Sequence, residues 1–131
     1  HGKWVGRGAT WADFDDDGNV DLLVVDTSGP PHLLRNGGGT GNNWLKVDAR
    51  AKGGRRTAIG ARVTVVTGAR TQFQDVIGVN GYLSQGDRRA HFGLGKAATV
   101  DRVQVRWPDG TTDEWKDVAP NQVLRVEQGK K

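Results

Sequence analysis

Alternation of apolar and polar residues is the feature that most constrains the fold of this chain. From 59 to 65, and again from 103 to 107, every second residue is apolar. Successive side chains of a β-strand point to opposite faces of the sheet, so this period predicts strands with one buried face. Pro108-Asp109-Gly110 follows the second run, and proline with glycine at these positions favours a tight turn. We therefore expect Val103–Trp107 to fold back on Thr111–Trp115 as a hairpin.

Weaker strand patterns extend this prediction over most of the chain. They lie at Leu45–Ala49, Thr71–Val79, Arg89–Phe92 and Val123–Glu127. The 131 residues include 20 glycines, which favours many tight turns between short elements, and no amphipathic helix is evident. The sequence predicts an all-β fold, a β-sandwich or barrel-like module of about seven to ten short antiparallel strands.

The glycine-rich stretch between 36 and 43 suggests a division of the chain. We predict an N-terminal segment over 1–36, with an acidic loop between its first strands, and a β domain over 37–131, the two forming one compact unit. The length excludes a multidomain enzyme. No internal repeat of 20 to 50 residues is visible, which excludes a complete propeller or solenoid.

Composition removes several classes of function. The absence of cysteine excludes disulfides and thiolate metal sites. The longest aliphatic run, Leu22–Val25, is far too short to cross a membrane. His1 in place of methionine is interpreted as a processed or trimmed start. The net charge of +4 is unevenly distributed, with six aspartates between 13 and 26 and six basic residues but no acid between 50 and 70.

The acidic segment from Asp13 to Asp21 is the strongest functional signal. Its carboxylates at loop positions 1, 3, 5 and 9, with glycine at 6, fit a short loop that wraps a hard cation such as Ca²⁺. The predicted ligands are the side chains of Asp13, Asp15, Asp17 and Asp21 and the backbone carbonyl of Asn19. Position 12 is Val24 instead of the glutamate of an EF-hand, so the flanks are expected to be strands. The alternative is a solvated acidic turn without an ion.

Two family resemblances cover nearly the whole chain. Residues 6–22 resemble one FG-GAP (VCBS-type) repeat with its calcium loop. The remainder resembles the ASPIC/UnbV domain of the cartilage acidic protein family. The segments that carry the second resemblance are Asn36, Asn43–Leu45, Ala58–Val63, Gly81–Gln85, His91–Gly95, Val103–Gly110 and Asn121–Leu124.

The resemblance implies a secreted, calcium-binding protein with a role in adhesion or recognition, in which several repeats precede the domain. The chain is then expected either to be a piece of a longer multi-repeat protein or to pack its single repeat onto the domain.

Five tryptophans suggest a second function, carbohydrate binding. Exposed indole rings stack on sugar rings, and Trp4 and Trp44 lie beside glycine-rich stretches where exposure is expected. Arg55 and Arg56, the densest point of the basic segment, would hold acidic sugars. The alternatives are that the tryptophans pack in the core and that the basic segment is a solvated strand face.

Catalytic functions have little support in the sequence. Neither serine lies in a nucleophile elbow, and no paired glutamates indicate a glycosidase. A third hypothesis is a copper-dependent polysaccharide oxygenase, in which the amine and imidazole of His1 bind copper with His32 or His91. The sequence favours a non-catalytic recognition module whose partner is a glycan or an extracellular protein surface, without nucleic-acid binding or membrane insertion.

Overall fold

The structure is a computed structural model that describes residues 5–39 and 41–130. Every regular element in these residues is a β-strand, which confirms the all-β prediction. The ten strands are β1 (Gly6–Ala12), β2 (Asp21–Asp26), β3 (His32–Leu34), β4 (Asn43–Arg50), β5 (Arg62–Thr67), β6 (Arg70–Asp75), β7 (Ala90–Gly95), β8 (Val100–Arg106), β9 (Thr112–Val118) and β10 (Gln122–Glu127).

The chain divides into two compact units. The first comprises His1–Gly41 and Gly78–Asp87, and the second comprises Asn42–Ile77 and Arg88–Lys131. The first unit contains an antiparallel three-stranded sheet in the order β1-β2-β3. Ala12 at the end of β1 pairs with Asp21 at the start of β2, so the acidic segment forms the loop that joins these two strands.

Two sheets form the second unit, in the orders β10-β4-β7 and β6-β5-β8-β9. The arrangement is consistent with a β-sandwich and is not a closed barrel. The alternating valines of β5 and β8 are fully buried, as their period predicted, and Trp107 lies beside them at 1% exposure. The other sheet contributes the buried side chains of Leu45, Val47 and Phe92 to the same core.

The hairpin between β8 and β9 confirms the interpretation of Pro108-Asp109-Gly110 as a turn. Val105 pairs with Asp113 and Val103 with Trp115 in the antiparallel register. The N–H of Trp107 donates to the carbonyl of Thr111 at 2.8 Å, and Gly110 has a φ of 87°. That conformation favours glycine, so the turn depends on it.

One strand pair differs from the antiparallel arrangement that we expected. β10 runs parallel to β4, with Leu124 opposite Val47. Asn121 sets this pairing because its N–H donates to the carbonyl of Trp44 at 2.7 Å and its Oδ1 accepts the N–H of Trp44 at 3.1 Å. Period-2 patterns report which face is buried but not the direction in which a partner strand runs.

Glutamine side chains of β6 connect the two sheets of the second unit. The Nε2 of Gln74 donates to the carbonyl of His91 at 2.7 Å, and its Oε1 accepts the N–H of His91 at 3.0 Å. Two residues earlier on the same face, Gln72 donates to the carbonyl of Gly93 at 3.0 Å. These side-chain amides therefore provide hydrogen-bond partners for backbone groups of β7, which is an edge strand of its sheet.

Candidate functional site

The loop between β1 and β2 contains two buried carboxylates. Asp13 follows the last residue of β1 and Asp21 is the first residue of β2, and their exposures are only 1% and 3%. The strand pairing holds the two ends of the loop side by side. Aspartate is rarely buried unless it is paired or binds a metal, so each of these two buried carboxylates needs a compensating interaction.

Backbone N–H groups of the loop donate hydrogen bonds to both oxygens of the Asp13 carboxylate. Its Oδ1 accepts the N–H of Asp17 at 3.0 Å, and its Oδ2 accepts the N–H of Gly18 at 2.8 Å. The chain reverses here through two residues with positive φ, Asp16 at 56° and Gly18 at 91°. Aspartate and glycine tolerate this conformation, so the residue types agree with the local fold.

Asp21 links the loop to the segment that follows β3. Its Oδ2 accepts the N–H of Phe14 at 3.2 Å, and its Oδ1 accepts the N–H of Asn36 at 2.8 Å. The side chain of Asn36 also donates to the carbonyl of Val20 at 3.3 Å. The end of the N-terminal segment is thus tied to the acidic loop by one carboxylate.

Three of the four predicted carboxylate ligands converge. Asp13, Asp15 and Asp21 each have an oxygen within 4.8 Å of those of the other two. At that separation and an effective dielectric constant of about 20, two carboxylates repel each other by roughly 3 kcal/mol. A divalent cation would remove this repulsion, and a set made only of oxygen atoms fits the preference of Ca²⁺. The donor chemistry and the spacing therefore fit a calcium ion.

The other predicted ligands make contacts within the loop. The Oδ1 of Asp17 accepts the backbone N–H of Asn19 at 2.8 Å and its side-chain amide at 2.9 Å. Asp17 is not part of the convergent group of three. Arg35, which the sequence analysis did not single out, places Nη2 2.8 Å from Asp15 and 3.8 Å from Asp17. This exposed guanidinium neutralises part of the acidic charge.

The tryptophans have different environments. Trp107 is in the core, and its indole N–H donates to Asp113 at 2.7 Å. Trp11 is 38% exposed. Trp44, one of the two expected sugar platforms, is half-buried, and His91 stacks on it with the ring centres 6.2 Å apart. The Nζ of Lys46 lies 5.5 Å from the centre of the Trp44 ring. Trp4, the other expected platform, lies outside the described residues.

Arg55 and Arg56 lie in the loop between β4 and β5, and both are exposed. They line an open cavity of about 640 Å³ together with Lys52 and Gln128. The cavity thus combines the two arginines singled out from the sequence with a third cation.

The structure describes two of the three histidines of the copper hypothesis, and each of them contacts another side chain. His32 in β3 has its Nε2 3.6 Å from the carboxylate of Asp26. The backbone N–H of Ser28 is the main influence that lowers the pKa of Asp26, and His32 adds to it. His91 stacks on Trp44, as described above. His1 lies outside the described residues, as does any site that it would form.

Comparison with known proteins matches the chain to one family. The family profile described as ASPIC and UnbV matches residues 51–131. Cartilage acidic protein 1 of Homo sapiens is 40% identical over 111 residues, which cover 80% of this chain and 16% of the relative. The proteins of the same name from Mus musculus and Xenopus tropicalis are each 39% identical over 80% of this chain, which is 17% and 16% of their own lengths.

These matches confirm the resemblance to the ASPIC/UnbV domain that the sequence motifs indicated. The chain spans about a sixth of the length of the curated relatives that it matches. In the part of the chain that the structure describes, no helix has the length and apolar character needed to cross a bilayer.

Proposed function

The chain belongs to the ASPIC and UnbV family, and from this membership we propose that it is a non-catalytic recognition module of an extracellular protein, stabilised by calcium. The observation that carries the calcium part is the convergence of the Asp13, Asp15 and Asp21 carboxylates within 4.8 Å, two of them buried. The residues 6–22 then act as a single FG-GAP-type repeat.

The role of calcium in this proposal is structural. Bound between β1 and β2, the ion would hold Asp13 and Asp21 together and offset their repulsion. Because the unfolded chain offers no such preformed cage, the free energy of binding adds to the stability of the folded state. Arg35 lowers the net charge of the loop, so we expect moderate affinity and not the tight binding of a cytosolic buffer.

The location and the partner class are also proposals. The similar proteins carry the word cartilage in their names, and much of that tissue is extracellular matrix. An extracellular module would meet calcium at millimolar concentration, which suits a site of moderate affinity. Its partner is a glycan or the surface of another extracellular protein.

Thermal unfolding with and without calcium tests the proposal. For a dissociation constant of roughly 0.1 to 1 mM, about 5 mM calcium adds about 1–2 kcal/mol to the free energy of unfolding. That increment corresponds to a rise in Tm of about 4–9 °C for a chain of this size. The rise should disappear in Asp21→Asn.

Asp16→Asn is the matched control, because Asp16 lies in the same loop, is exposed and carries the same charge. The quantity compared is the calcium-dependent change in Tm, since Asp21→Asn can also disturb the hydrogen bonds from Phe14 and Asn36. A wild-type Tm that does not respond to calcium or to chelator refutes the calcium part. An equal response in both variants refutes the assignment of the ligands.

A further inference from the structure

We propose that the cavity beside the β4–β5 loop binds an acidic polysaccharide through its sulfate or carboxylate groups. The cavity, of about 640 Å³, is lined by Ala51, Lys52, Gly53, Arg55, Arg56 and Gln128. Three of these residues are cationic and none is acidic. The inference rests on the recognition role proposed above but not on the calcium site, whose residues belong to the first unit.

The backbone of the loop is held in place by neighbouring elements. The N–H of Gly53 donates to the carboxylate of Glu127 at 3.1 Å, and Arg125 donates to the carbonyl of Gly54 at 3.0 Å. Within the loop, the N–H of Ala51 donates to the carbonyl of Arg56 at 2.9 Å. The loop therefore presents its side chains from a defined backbone, which reduces the entropy lost on binding a ligand.

Two adjacent glycines, of the three in the loop, shape the segment beside the cavity. Gly53 and Gly54 have φ values of 90° and 69°, which disfavour other residues. A Cβ on Gly54 would also lie 2.8 Å from an oxygen of Glu127, so the carboxylate of Glu127 would have to shift.

The cations of the cavity are available to a ligand. Among the described residues, Lys52, Arg55 and Arg56 form no ion pair, whereas Arg50 and Arg62 on either side pair with Asp48 and Asp75.

The acidic groups nearby are already engaged. Glu127 accepts from Gly53 and lies 3.0 Å from the Nζ of Lys130. Asp109 accepts from Gln128 at 2.6 Å and from Thr111. The donors to Asp109 are neutral and leave its charge in place, but neither acid pairs with a cation of the cavity.

The chemistry of the lining favours a polysaccharide over a protein segment. Protein–protein affinity comes mainly from aromatic residues and arginines seated in desolvated pockets. This cavity is open, has no aromatic residue in its lining, and has Ala51 as its only apolar side chain. Arginine binds planar anions with two parallel hydrogen bonds, which suits both carboxylate and sulfate groups. A chain of anionic sugars would supply such groups at regular spacing to three cations on one loop.

Fluorescence anisotropy with labelled hexasaccharides tests the inference. The probes are a heparin hexasaccharide, which carries sulfates and carboxylates, a hyaluronan hexasaccharide, which carries carboxylates alone, and neutral cellohexaose. The heparin or the hyaluronan probe should bind, more weakly as salt rises because the charges are screened, and cellohexaose should not. Binding of the hyaluronan probe shows that carboxylates are sufficient, and binding of the heparin probe alone shows that sulfates are needed.

A matched pair of double variants separates a site from general attraction to a basic protein. Arg55→Gln with Arg56→Gln should weaken binding by about tenfold or more. Arg70→Gln with Arg106→Gln removes the same charge from exposed positions outside the cavity and should weaken binding by less than about threefold.

Equal losses in the two double variants, or no binding of either acidic probe, overturn the inference. Tighter binding of a hexaglutamate peptide than of both acidic sugars overturns the choice of polysaccharide. The titrations are repeated with chelator, so that a failure of the calcium site, seen in the Tm, is distinguished from a failure of the cavity.

Discussion

Two hydrogen bonds of the Gln74 side chain should contribute measurably to the stability of the fold. This half-buried side chain donates to the carbonyl of His91 at 2.7 Å and accepts its N–H at 3.0 Å, so one amide bridges the two sheets of the second unit. Gln74→Ala removes both bonds, each with a net value of about 1 kcal/mol, and leaves two partly buried backbone groups without their partner. We expect a loss of about 2–4 kcal/mol in the free energy of unfolding, or roughly 8–15 °C in Tm.

Urea unfolding monitored by tryptophan fluorescence measures this loss. Gln104→Ala is the matched control, because Gln104 is also a half-buried strand glutamine but makes no side-chain hydrogen bond among the described residues. The control should lose less than about 1 kcal/mol. If the two variants lose equal stability, the bridge between β6 and β7 does not stabilise the fold.

Three further predictions concern the β8–β9 hairpin. Trp107→Phe should lower the free energy of unfolding by about 2–4 kcal/mol, because it removes the indole donor to Asp113 from a fully buried site. Urea titration measures this loss, and an unchanged free energy of unfolding would contradict the role of this hydrogen bond. The Thr111 hydroxyl holds the pKa of Asp109 below its usual value, so Asp109 stabilises the fold above the unfolded pKa of about 4, and this contribution is lost as pH falls through the folded pKa. Asp109→Asn should therefore be less stable than the wild type at neutral pH, and the difference in stability should shrink as the pH falls through the folded pKa of Asp109; a gap that stays constant into acid would contradict this sign. Gly110→Ala, at a φ of 87°, should lower Tm by an amount equivalent to about 1–2 kcal/mol, and an unchanged Tm in a thermal scan would show that the turn tolerates a side chain.

Local sequence patterns were sufficient for much of the fold. The valines of β5 and β8 alternate strictly, so their strands and buried faces could be predicted, and Pro108 with Gly110 indicated the hairpin. Likewise, the aspartate spacing of the loop between β1 and β2 predicted a group of carboxylates, of which Asp13, Asp15 and Asp21 converge. Each of these features depends on residues that are close in the chain.

Contacts between distant residues could not be predicted in this way. The parallel pairing of β10 with β4 depends on Asn121 meeting Trp44, which lies 77 residues earlier. Arg35 reaches Asp15 only because β3 pairs with β2. The cavity beside the β4–β5 loop combines Lys52 with Gln128 from the C-terminal segment, and no local pattern indicates that these two meet.

Isothermal titration of the protein with calcium measures directly whether the acidic loop binds the ion. We expect one ion bound per chain, with an affinity in the range of extracellular sites. Asp15→Asn should abolish the binding, and because Asp15 pairs only with Arg35 among the described residues, the fold should persist. Asp16→Asn should bind calcium as the wild type does. A wild-type chain that binds no calcium, or an Asp15→Asn variant that binds it unchanged, would show that the acidic loop is not a calcium site.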